Sequence, residues 1–386
     1  MPQSTPPLRS RLPSVGTTIF TVMSRLAAEH DAINLSQGFP DFSPPPRLVE
    51  LVAGHMRAGL NQYAPMPGLT ALRDAIAHQV MALHGRRVST ETEITITAGG
   101  TEAIFCAVQA VVHPGDEVIL LDPAYDSYEP AVRLARGAAV RIPLRRPGFD
   151  VDWDRVRDAV GPRTRLIIVN TPHNPSGAVF TRGDLEALAD VLDGTDVLVL
   201  ADEVYEHMVF DGRAHQGLLA LDALAARGMV VSSFGKTYHA TGWKVGCCIA
   251  PAELTTELRK VHQFVQFAVA TPLQAALADF MAEVPGHTLE LARFYQRKRD
   301  HFCGLLAQTR FHCSPSAGTY FQLADYSALS DEPDVEFARR LTMQHGVAAI
   351  PVSVFSSPAP VERLVRFCFA KDEATLDAAG ERLRRI

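Results

Sequence analysis

The sequence predicts an α/β fold built on a largely parallel sheet, followed by a smaller α+β region. Between about residues 94 and 250, short apolar runs rich in Val, Ile and Leu alternate with longer segments of helical periodicity. From about residue 252 to 300 the pattern is helical, and from 311 to 368 short strands mix with helices. The 386 residues suffice for two domains of ordinary size. We therefore expect a large sheet domain and a smaller companion.

Strands and helices can be assigned within the α/β region. The predicted strands are Ile94 to Thr97, Val118 to Leu121, Arg165 to Asn170, Val197 to Ala201 and Met229 to Ser233. Helices are expected at Thr101 to Val112 and at Thr181 to Leu192. Thr101 is a candidate N-cap of the first helix, and Thr181 with Asp184 has the spacing of a capping box.

Composition excludes several classes of protein. The 37 Lys and Arg against 43 Asp and Glu leave a net charge of −6, so we expect neither nucleic-acid nor membrane-surface binding. No apolar stretch reaches the roughly 20 residues of a membrane span, and Pro and Ser stand where a signal peptide would be apolar. The cytoplasm is the expected compartment. Six cysteines without CxxC spacing and 14 histidines without HExxH predict free thiols and no metal site.

A polar or glycine-rich cluster follows each predicted strand. The clusters are Gly99 to Glu102, Asp122 to Tyr125, Asn170 to Gly177, Asp202 to Tyr205 and Ser233 to Lys236. In open α/β sheets, ligands bind in the crevice beyond the carboxyl ends of the strands. Each cluster alone would be explained by a turn or a helix cap. Because five of them converge on one edge of the sheet, we predict a binding site there.

The residue types in this crevice point to pyridoxal phosphate. That cofactor needs a lysine amine for its aldehyde, a carboxylate for its ring nitrogen, and N–H and hydroxyl donors for its phosphate. The nucleotide alternatives fit less well. Phe234 to Thr237 reads FGKT, but position 230 is Val where a P-loop needs Gly, and no GxGxxG motif follows a strand.

Several long motifs carry a family resemblance. In chain order they are INLSQGFPDF, NQYAPMPG, NPSG, DEVYEH, SFGKTYHATGWKVG and VRFCFAKDEATL. From about Ile33 to the C-terminus the chain resembles the class I and II aminotransferases of PLP fold type I. Within them it is most similar to the kynurenine/glutamine transaminases and the bacterial methionine transaminases.

The resemblance implies an architecture. We expect a large domain with a mainly parallel seven-stranded sheet between helices, plus a smaller α+β domain. The expected boundaries are 1–45 for an N-terminal arm with part of the small domain, 46–285 for the large cofactor-binding domain and 286–386 for the C-terminal small domain. The resemblance also implies a homodimer with shared active sites.

The resemblance assigns the reacting groups. Lys236 is the expected Schiff-base lysine, which would later carry the α-proton of the substrate. Asp202 would hold the ring nitrogen protonated, and Tyr205 and Asn174 would hydrogen-bond the phenolic oxygen of the cofactor. The residues alone leave alternatives open: a helix N-cap for Asp202, a core aromatic for Tyr205 and a turn residue for Asn174.

Further cofactor contacts follow from the same resemblance. Tyr125 would stack on the ring, where it could instead be a packed loop tyrosine. The phosphate would be bound at the start of a helix with help from a hydroxyl and a cation, by Gly100, Thr101, Ser233 and Lys244. The wider superfamily often has arginine at the position of Lys244 and threonine at that of Ser176. Tyr63 matches a residue that reaches the phosphate of the neighbouring subunit.

The substrate contacts are the last group that the resemblance assigns. Arg366 is the candidate for the α-carboxylate, because a guanidinium matches a carboxylate with two parallel hydrogen bonds. A solvent-facing strand arginine is the alternative. Gly38 would add a backbone N–H, although a turn glycine explains it equally well. Candidates for the side-chain pocket are Ile19, Phe20, Tyr125 and Phe355.

These assignments predict a ping-pong aminotransferase. It would move the amino group of a neutral or aromatic L-amino acid, of the methionine, glutamine, phenylalanine or kynurenine type, to a 2-oxo acid. No second arginine is identifiable as a clamp for dicarboxylates. Two alternatives stay open: a carbon–sulfur β-lyase acting on cysteine conjugates with the same scaffold, and a noncatalytic PLP-fold ligand-binding module. The presence of Lys236, Asp202 and Arg366 argues against the noncatalytic module.

Overall fold

The computed structural model describes residues 9–360 and 362–386, so the first eight residues of the predicted N-terminal arm lie outside the described part. Among the described residues, no helix is both long and apolar enough to traverse a bilayer. The six cysteines are all free thiols.

The elements follow one another in a mostly alternating order. The chain begins with α1 (Ile19–Glu29), β1 (Ile33–Asn34), α2 (Pro46–Arg57), α3 (Thr70–His84), β2 (Ile94–Thr97), α4 (Gly99–Val111), β3 (Glu117–Asp122), α5 (Tyr128–Leu134) and β4 (Ala138–Pro143). It continues with α6 (Trp153–Ala159), β5 (Thr164–Asn170), α7 (Arg182–Leu192), β6 (Leu198–Asp202), α8 (Asp222–Ala225), β7 (Gly228–Ser233), α9 (Phe234–Thr237) and β8 (Gly246–Ile249). It ends with α10 (Ala252–Val265), α11 (Thr271–Glu283), α12 (His287–Leu306), β9 (Phe321–Asp325), α13 (Asp334–His345), β10 (Val347–Ala348), β11 (Ile350–Pro351), β12 (Leu364–Cys368) and α14 (Glu373–Leu383).

A mainly parallel seven-stranded sheet forms the centre of the molecule, as predicted. Its strand order is β2-β8-β7-β6-β5-β3-β4, and only β8 runs antiparallel to its neighbours. The five strands assigned from the sequence are all present. Two further strands were missed because neither is a long apolar run: β4 is an edge strand that contains Arg141, and β8 reads GCCI.

The sheet is buried on both faces. Along β3, Val118 and Leu120 belong to one buried apolar cluster, whereas Ile119 and Leu121 belong to another. This alternation follows from the two-residue period of a strand, and it shows that helices cover both sides. A third apolar cluster lies around β9, β12 and α12 to α14.

One helix start was predicted wrongly and one correctly. Thr101 is not an N-cap, because α4 already begins at Gly99, whose φ of +76° favours glycine, and the N–H of Ala98 donates to the carboxylate of Glu102. Thr181 is the N-cap of α7, and its capping box with Asp184 is present. The predicted helical pattern from residue 252 to 300 corresponds to α10, α11 and most of α12.

Two smaller sheets bring the ends of the chain together. β11, β12 and β9 form an antiparallel sheet with β12 in the middle, and β1 pairs in parallel with β10. Arg366 therefore lies on a central strand. The pairing of β1 fixes the loop that follows it, which carries Gly38, against the C-terminal part of the chain.

Candidate active site

A cavity of about 270 Å³ lies beyond the carboxyl ends of β6 and β7. It brings together most of the residues that the sequence singled out. The predicted residues in its wall are Phe20, Gly38, Gly100, Thr101, Tyr125, Asn174, Asp202, Tyr205, Ser233, Lys236, Lys244 and Arg366. They come from the two ends of the chain and from the central sheet, so the cavity exists only in the folded molecule.

Lys236 is positioned by the turn that follows β7. Its Nζ donates hydrogen bonds to Oη of Tyr320 at 2.8 Å and to the carbonyl oxygen of Gly38 at 3.1 Å. Burial lowers the pKa of Lys236 to about 8, and the positive charges of Lys244 and Arg366 act in the same direction. Since the neutral amine is the nucleophilic form, this shift makes Lys236 more reactive near neutral pH than an exposed lysine.

Asp202 ends β6 and is only 4% exposed. The hydroxyl of Tyr128 donates a hydrogen bond to its Oδ2 at 2.6 Å. Burial raises the pKa of Asp202 to about 6, whereas the bond from Tyr128 opposes that rise. The carboxylate is therefore ionised at neutral pH and can pair with a protonated ring nitrogen.

Tyr205 and Asn174 are each held by contacts with neighbouring residues. The ring of Tyr205 packs edge-on against Tyr320, with 5.1 Å between centroids, and burial raises its pKa, so the phenol stays a hydrogen-bond donor. The amide oxygen of Asn174 accepts from Nη1 of Arg366 at 2.6 Å, and its backbone N–H donates to Oδ1 of Asn170 at 2.7 Å. The amide NH₂ of Asn174 takes no part in these bonds and can serve another acceptor.

Tyr125 lies half-buried in the cavity wall. Its ring meets that of Tyr128 edge-on at 5.6 Å between centroids. Burial raises the pKa of Tyr125 to about 12, so its ring stays neutral. It is therefore available as an uncharged stacking surface.

The first turn of α4 closes one end of the cavity. Gly100 and Thr101 supply backbone N–H groups at a helix N-terminus, which lack partners within the helix and attract anions. Lys244 lies beside them, because a Cβ added to Gly99 would be 3.2 Å from its Nζ. Ser233 contributes a hydroxyl from the end of β7. This end of the cavity can bind a phosphate.

Arg366 is fully buried on β12. Its Nη2 donates to the carbonyl of Ser36 at 3.1 Å, and its guanidinium lies 3.8 Å from the ring centroid of Phe321. Burial lowers its pKa. Its Nε finds no hydrogen-bond partner among the described residues, although a buried donor is normally paired. A carboxylate in the cavity would supply that partner.

Three predicted site residues do not line the cavity. The ring of Phe355 packs 5.9 Å from that of Phe20, so Phe355 supports the wall from behind, and Ile19 packs in the neighbouring apolar cluster. Tyr63 is 83% exposed and lies against Phe267 on the surface.

Several residues at the site were not predicted from the sequence, among them Ile104 and Phe321 in the cavity wall. Tyr128 donates a hydrogen bond to Asp202, and Tyr320 accepts one from Lys236. Thr241 lines the cavity. Gln37 donates to the carbonyl of Phe20 at 2.9 Å and thereby fixes α1 beside the cavity. Tyr128 follows the polar cluster Asp122 to Tyr125 by three residues, and this proximity was a usable signal. Tyr320 directly precedes β9, and no local pattern relates it to Lys236.

Two groups of partly or fully buried residues have side chains of metal-ligating types: Glu102, Cys106 and His262, and His84, Glu203 and Glu206. Neither group lies in the cavity wall. In the first, Glu102 accepts hydrogen bonds from Cys106 and His262. In the second, Glu203 is bonded to His215 and to the N–H of Leu218. These hydrogen bonds give the carboxylates of Glu102 and Glu203 partners within the protein.

The donor set of the cavity fits pyridoxal phosphate. Three of the required groups line the same cavity. They are the amine of Lys236 with its lowered pKa, the ionised, buried carboxylate of Asp202 and the anion-binding helix start at Gly100. A glycine at position 99 keeps the space beside Lys244 free of a side chain. No required group is missing from this set.

Comparison with known proteins places the chain among enzymes. Residues 30–383 match the family model described as aminotransferase class I and II. A methionine aminotransferase of Escherichia coli K12 is 52% identical over 98% of both chains. A solved structure of an Escherichia coli protein with a methionine aminotransferase function superimposes with a TM-score of 0.96 at 52% identity, covering 98% of this chain and all of that one.

Two more distant relatives have different substrates in their names. The structure of N-succinyldiaminopimelate aminotransferase from Mycobacterium tuberculosis has a TM-score of 0.95 at 41% identity, covering 98% of this chain and 100% of that one. Kynurenine–oxoglutarate transaminase 3 of Mus musculus is 37% identical over 97% of this chain and 89% of its own length.

Proposed function

The chain belongs to the class I and II aminotransferases, and from that premise we propose that it transfers the amino group of a neutral or aromatic L-amino acid to a 2-oxo acid in a ping-pong reaction. The observation that carries the proposal is the meeting of Lys236, Asp202 and Arg366 in one cavity. These three groups match the amine, the ring partner and the carboxylate receptor that such a reaction requires.

The aminotransferases of this family depend on pyridoxal phosphate, and the cavity residues provide its anchors. Lys236 would hold it covalently, Asp202 would pair with its ring nitrogen, and the start of α4 with Ser233 and Lys244 would bind its phosphate. When bound, the cofactor supplies an aldehyde that takes up the amino group and a ring that accepts electrons from the α-carbon.

Arg366 would fix the substrate by its α-carboxylate. Nη1 and Nη2 of Arg366 are already bonded to Asn174 and Ser36, which hold the guanidinium in place, and Nε is without a partner among the described residues. Aromatic rings around the guanidinium exclude water and strengthen a charge-assisted bond. The substrate would thus be oriented before any proton moves.

Lys236 would carry the proton of the α-carbon. Its pKa of about 8 lets the free amine accept a proton and release it again near neutral pH. Tyr205, kept protonated by burial, would donate a hydrogen bond to the phenolic oxygen of the cofactor, together with the NH₂ of Asn174.

The charges of the cavity favour substrates with an uncharged side chain. Among the described residues of its wall, the cationic ones are Lys236, Lys244 and Arg366. The roles proposed above use all three, so none is left for a second carboxylate. We therefore prefer donors of the methionine, glutamine, phenylalanine and kynurenine type over aspartate, glutamate or N-succinyldiaminopimelate.

A homodimer is part of the proposal. Tyr63 and Phe264 are 83% and 86% exposed, and Val265 and Phe267 beside them are half exposed. Large apolar side chains clustered on a surface are typical of an interface. We propose that a second copy covers them, which would bring Tyr63 to the phosphate end of the neighbouring cavity.

A half-reaction screen tests the function. The purified chain loaded with pyridoxal phosphate is mixed with one amino acid at a time, and the absorbance change of the cofactor is followed without any oxo acid. We expect methionine, glutamine and phenylalanine to convert the cofactor at concentrations where aspartate does not. Saturation with aspartate at a far lower concentration than with methionine would overturn the substrate class.

The same preparation distinguishes the carbon–sulfur lyase. A cysteine conjugate incubated without an oxo acid yields stoichiometric amine transfer if the chain is a transaminase. Continuous release of pyruvate and ammonia under these conditions would identify a β-lyase instead.

A further inference from the structure

Lys236 makes two hydrogen bonds that its proposed bond to the cofactor does not explain. Nζ lies 2.8 Å from Oη of Tyr320 and 3.1 Å from the carbonyl oxygen of Gly38. The hydroxyl of Tyr320 in turn donates to the same carbonyl at 2.5 Å. The three polar atoms form a closed triangle next to the cavity.

The partners of Lys236 are rigid. Tyr320 is fully buried and precedes β9, with its ring packed among Tyr205, Tyr295 and Phe321. Gly38 lies so close to β9 that an added Cβ would be 2.9 Å from Cζ of Phe321. Neither partner can move far without disturbing the core.

The directions of the bonds follow from the chemistry of each group. A carbonyl only accepts, so Tyr320 spends its hydroxyl hydrogen on Gly38 and receives Lys236 through an oxygen lone pair. A neutral amine has two N–H groups, and both are engaged by these acceptors. The nitrogen is tetrahedral, so the position not used by Cε and the two hydrogens carries its lone pair. Lys236 itself lies in the cavity wall.

We propose that Tyr320 is a positioning residue for Lys236: its phenol oxygen, together with the Gly38 carbonyl, holds the free amine by both N–H groups so that its lone pair stays available for proton transfer in the cavity. This inference rests on the proposed role of Lys236. It adds a residue from the C-terminal part of the chain to the machinery of the amine.

The decisive measurement uses the full chain freed of its cofactor. The rate at which a small acylating reagent modifies Lys236 is followed by mass spectrometry as a function of pH, because only the neutral amine reacts. In Tyr320→Phe an acceptor that favours the ammonium form is lost, so we expect the apparent pKa of Lys236 to fall by about half a unit to one unit.

A matched control is Tyr295→Phe. Tyr295 belongs to the same buried aromatic cluster, and its hydroxyl is bonded to Nδ1 of His239 at 3.0 Å rather than to Lys236. It removes an equivalent buried hydroxyl and should leave the labelling profile of Lys236 unchanged. An equal shift in both variants would mean a general loosening of the cluster and would overturn the proposal.

Kinetics of the cofactor-loaded enzyme give a second readout. Tyr320→Phe should lower kcat roughly tenfold, with a KM for the amino acid that changes less than twofold, because the carboxylate contacts at Arg366 are untouched. The isotope effect of an α-deuterated substrate should increase. A raised KM with an unchanged isotope effect would contradict a role in positioning the amine.

If Tyr320→Phe does not fold, fluorinated tyrosine at position 320 keeps the ring and hydroxyl while weakening the oxygen as an acceptor. A smaller shift of the labelling pKa in the same direction is expected, and no shift would overturn the proposal. The proposed function and the role of Tyr320 are contradicted by different results. A parent chain without transamination contradicts the proposed function, whereas an active parent with an unshifted Tyr320 variant contradicts only the role of Tyr320.

Discussion

The hydroxyl of Tyr128 donates a 2.6 Å hydrogen bond to Oδ2 of Asp202 inside the core of the molecule. Tyr128 begins α5 and Asp202 ends β6, so two separate elements fix the orientation of the carboxylate. The bond also opposes the rise in pKa that burial causes at Asp202. Tyr128 thus keeps a buried carboxylate ionised where a ring nitrogen would need it.

Replacement of Tyr128 by phenylalanine tests this relationship. A hydrogen bond to a charged group contributes about 1.5 to 3 kcal/mol, and its loss raises the pKa of Asp202. We expect the affinity for pyridoxal phosphate to fall by about tenfold or more, measured by equilibrium titration. Tyr326→Phe is the control, since it removes a hydroxyl bonded to the carbonyl of Glu332 away from the cavity. Equal affinities in the two variants would contradict the role of Tyr128.

Arg366→Lys should weaken substrate binding without preventing folding. Lysine keeps the charge but cannot form two parallel hydrogen bonds, so we expect kcat/KM for methionine to fall roughly 10- to 100-fold. Affinity for the cofactor should change little. Arg299→Lys is a matched control, because Arg299 is also buried but forms an ion pair with Asp211 and does not line the cavity. An unchanged kcat/KM in Arg366→Lys would exclude the carboxylate contact.

The pH dependence of cofactor uptake follows from two pKa values. Lys236 becomes neutral as the pH rises through about 8, and Asp202 becomes ionised as the pH rises through about 6. Uptake needs the neutral amine and the ionised carboxylate, so its rate should increase with pH and level off above about 8. Stopped-flow mixing of cofactor-free chain with pyridoxal phosphate measures this profile. A midpoint near 10.5, the ordinary pKa of lysine, would contradict the burial of the amine.

Mixed dimers test whether Tyr63 acts in the neighbouring subunit. A chain with Lys236→Ala and a chain with Tyr63→Ala are each expected to have low activity. If Tyr63 serves the partner, mixing and re-equilibrating them creates dimers in which one of the two sites has both residues intact. Activity should then reappear on mixing. If mass spectrometry verifies the mixed dimers and activity does not recover, Tyr63 does not act in the active site of the partner subunit.

The sequence predicted the sheet well because its strands are apolar runs that end in polar clusters. Asp202, Asn170 and Ser233 lie at strand ends, and strand register alone brings them to one edge. β4 and β8 were missed because strand pairing, rather than local apolarity, stabilises an edge strand with an arginine and a strand of small residues. The predicted N-cap at Thr101 was wrong because the helix already begins at Gly99, which has a positive φ that favours glycine.

The residues around the reacting groups were harder to predict. Tyr320 reaches Lys236 across 84 positions of sequence, and Tyr128 reaches Asp202 across 74. Such contacts depend on how layers pack and have no periodic signal. Gly38 was assigned for its N–H, yet the bonds that the structure describes use its carbonyl oxygen. A sequence motif thus identified the residue but not the atom.

The residue to which the cofactor attaches is the most direct test of the proposed role of Lys236. The chain is incubated with pyridoxal phosphate, reduced with borohydride and digested, and the modified peptide is identified by mass spectrometry. We expect the label on Lys236 and its loss in Lys236→Ala. Labelling of Lys244 or another lysine in its place, or no label on the folded chain, would contradict that role.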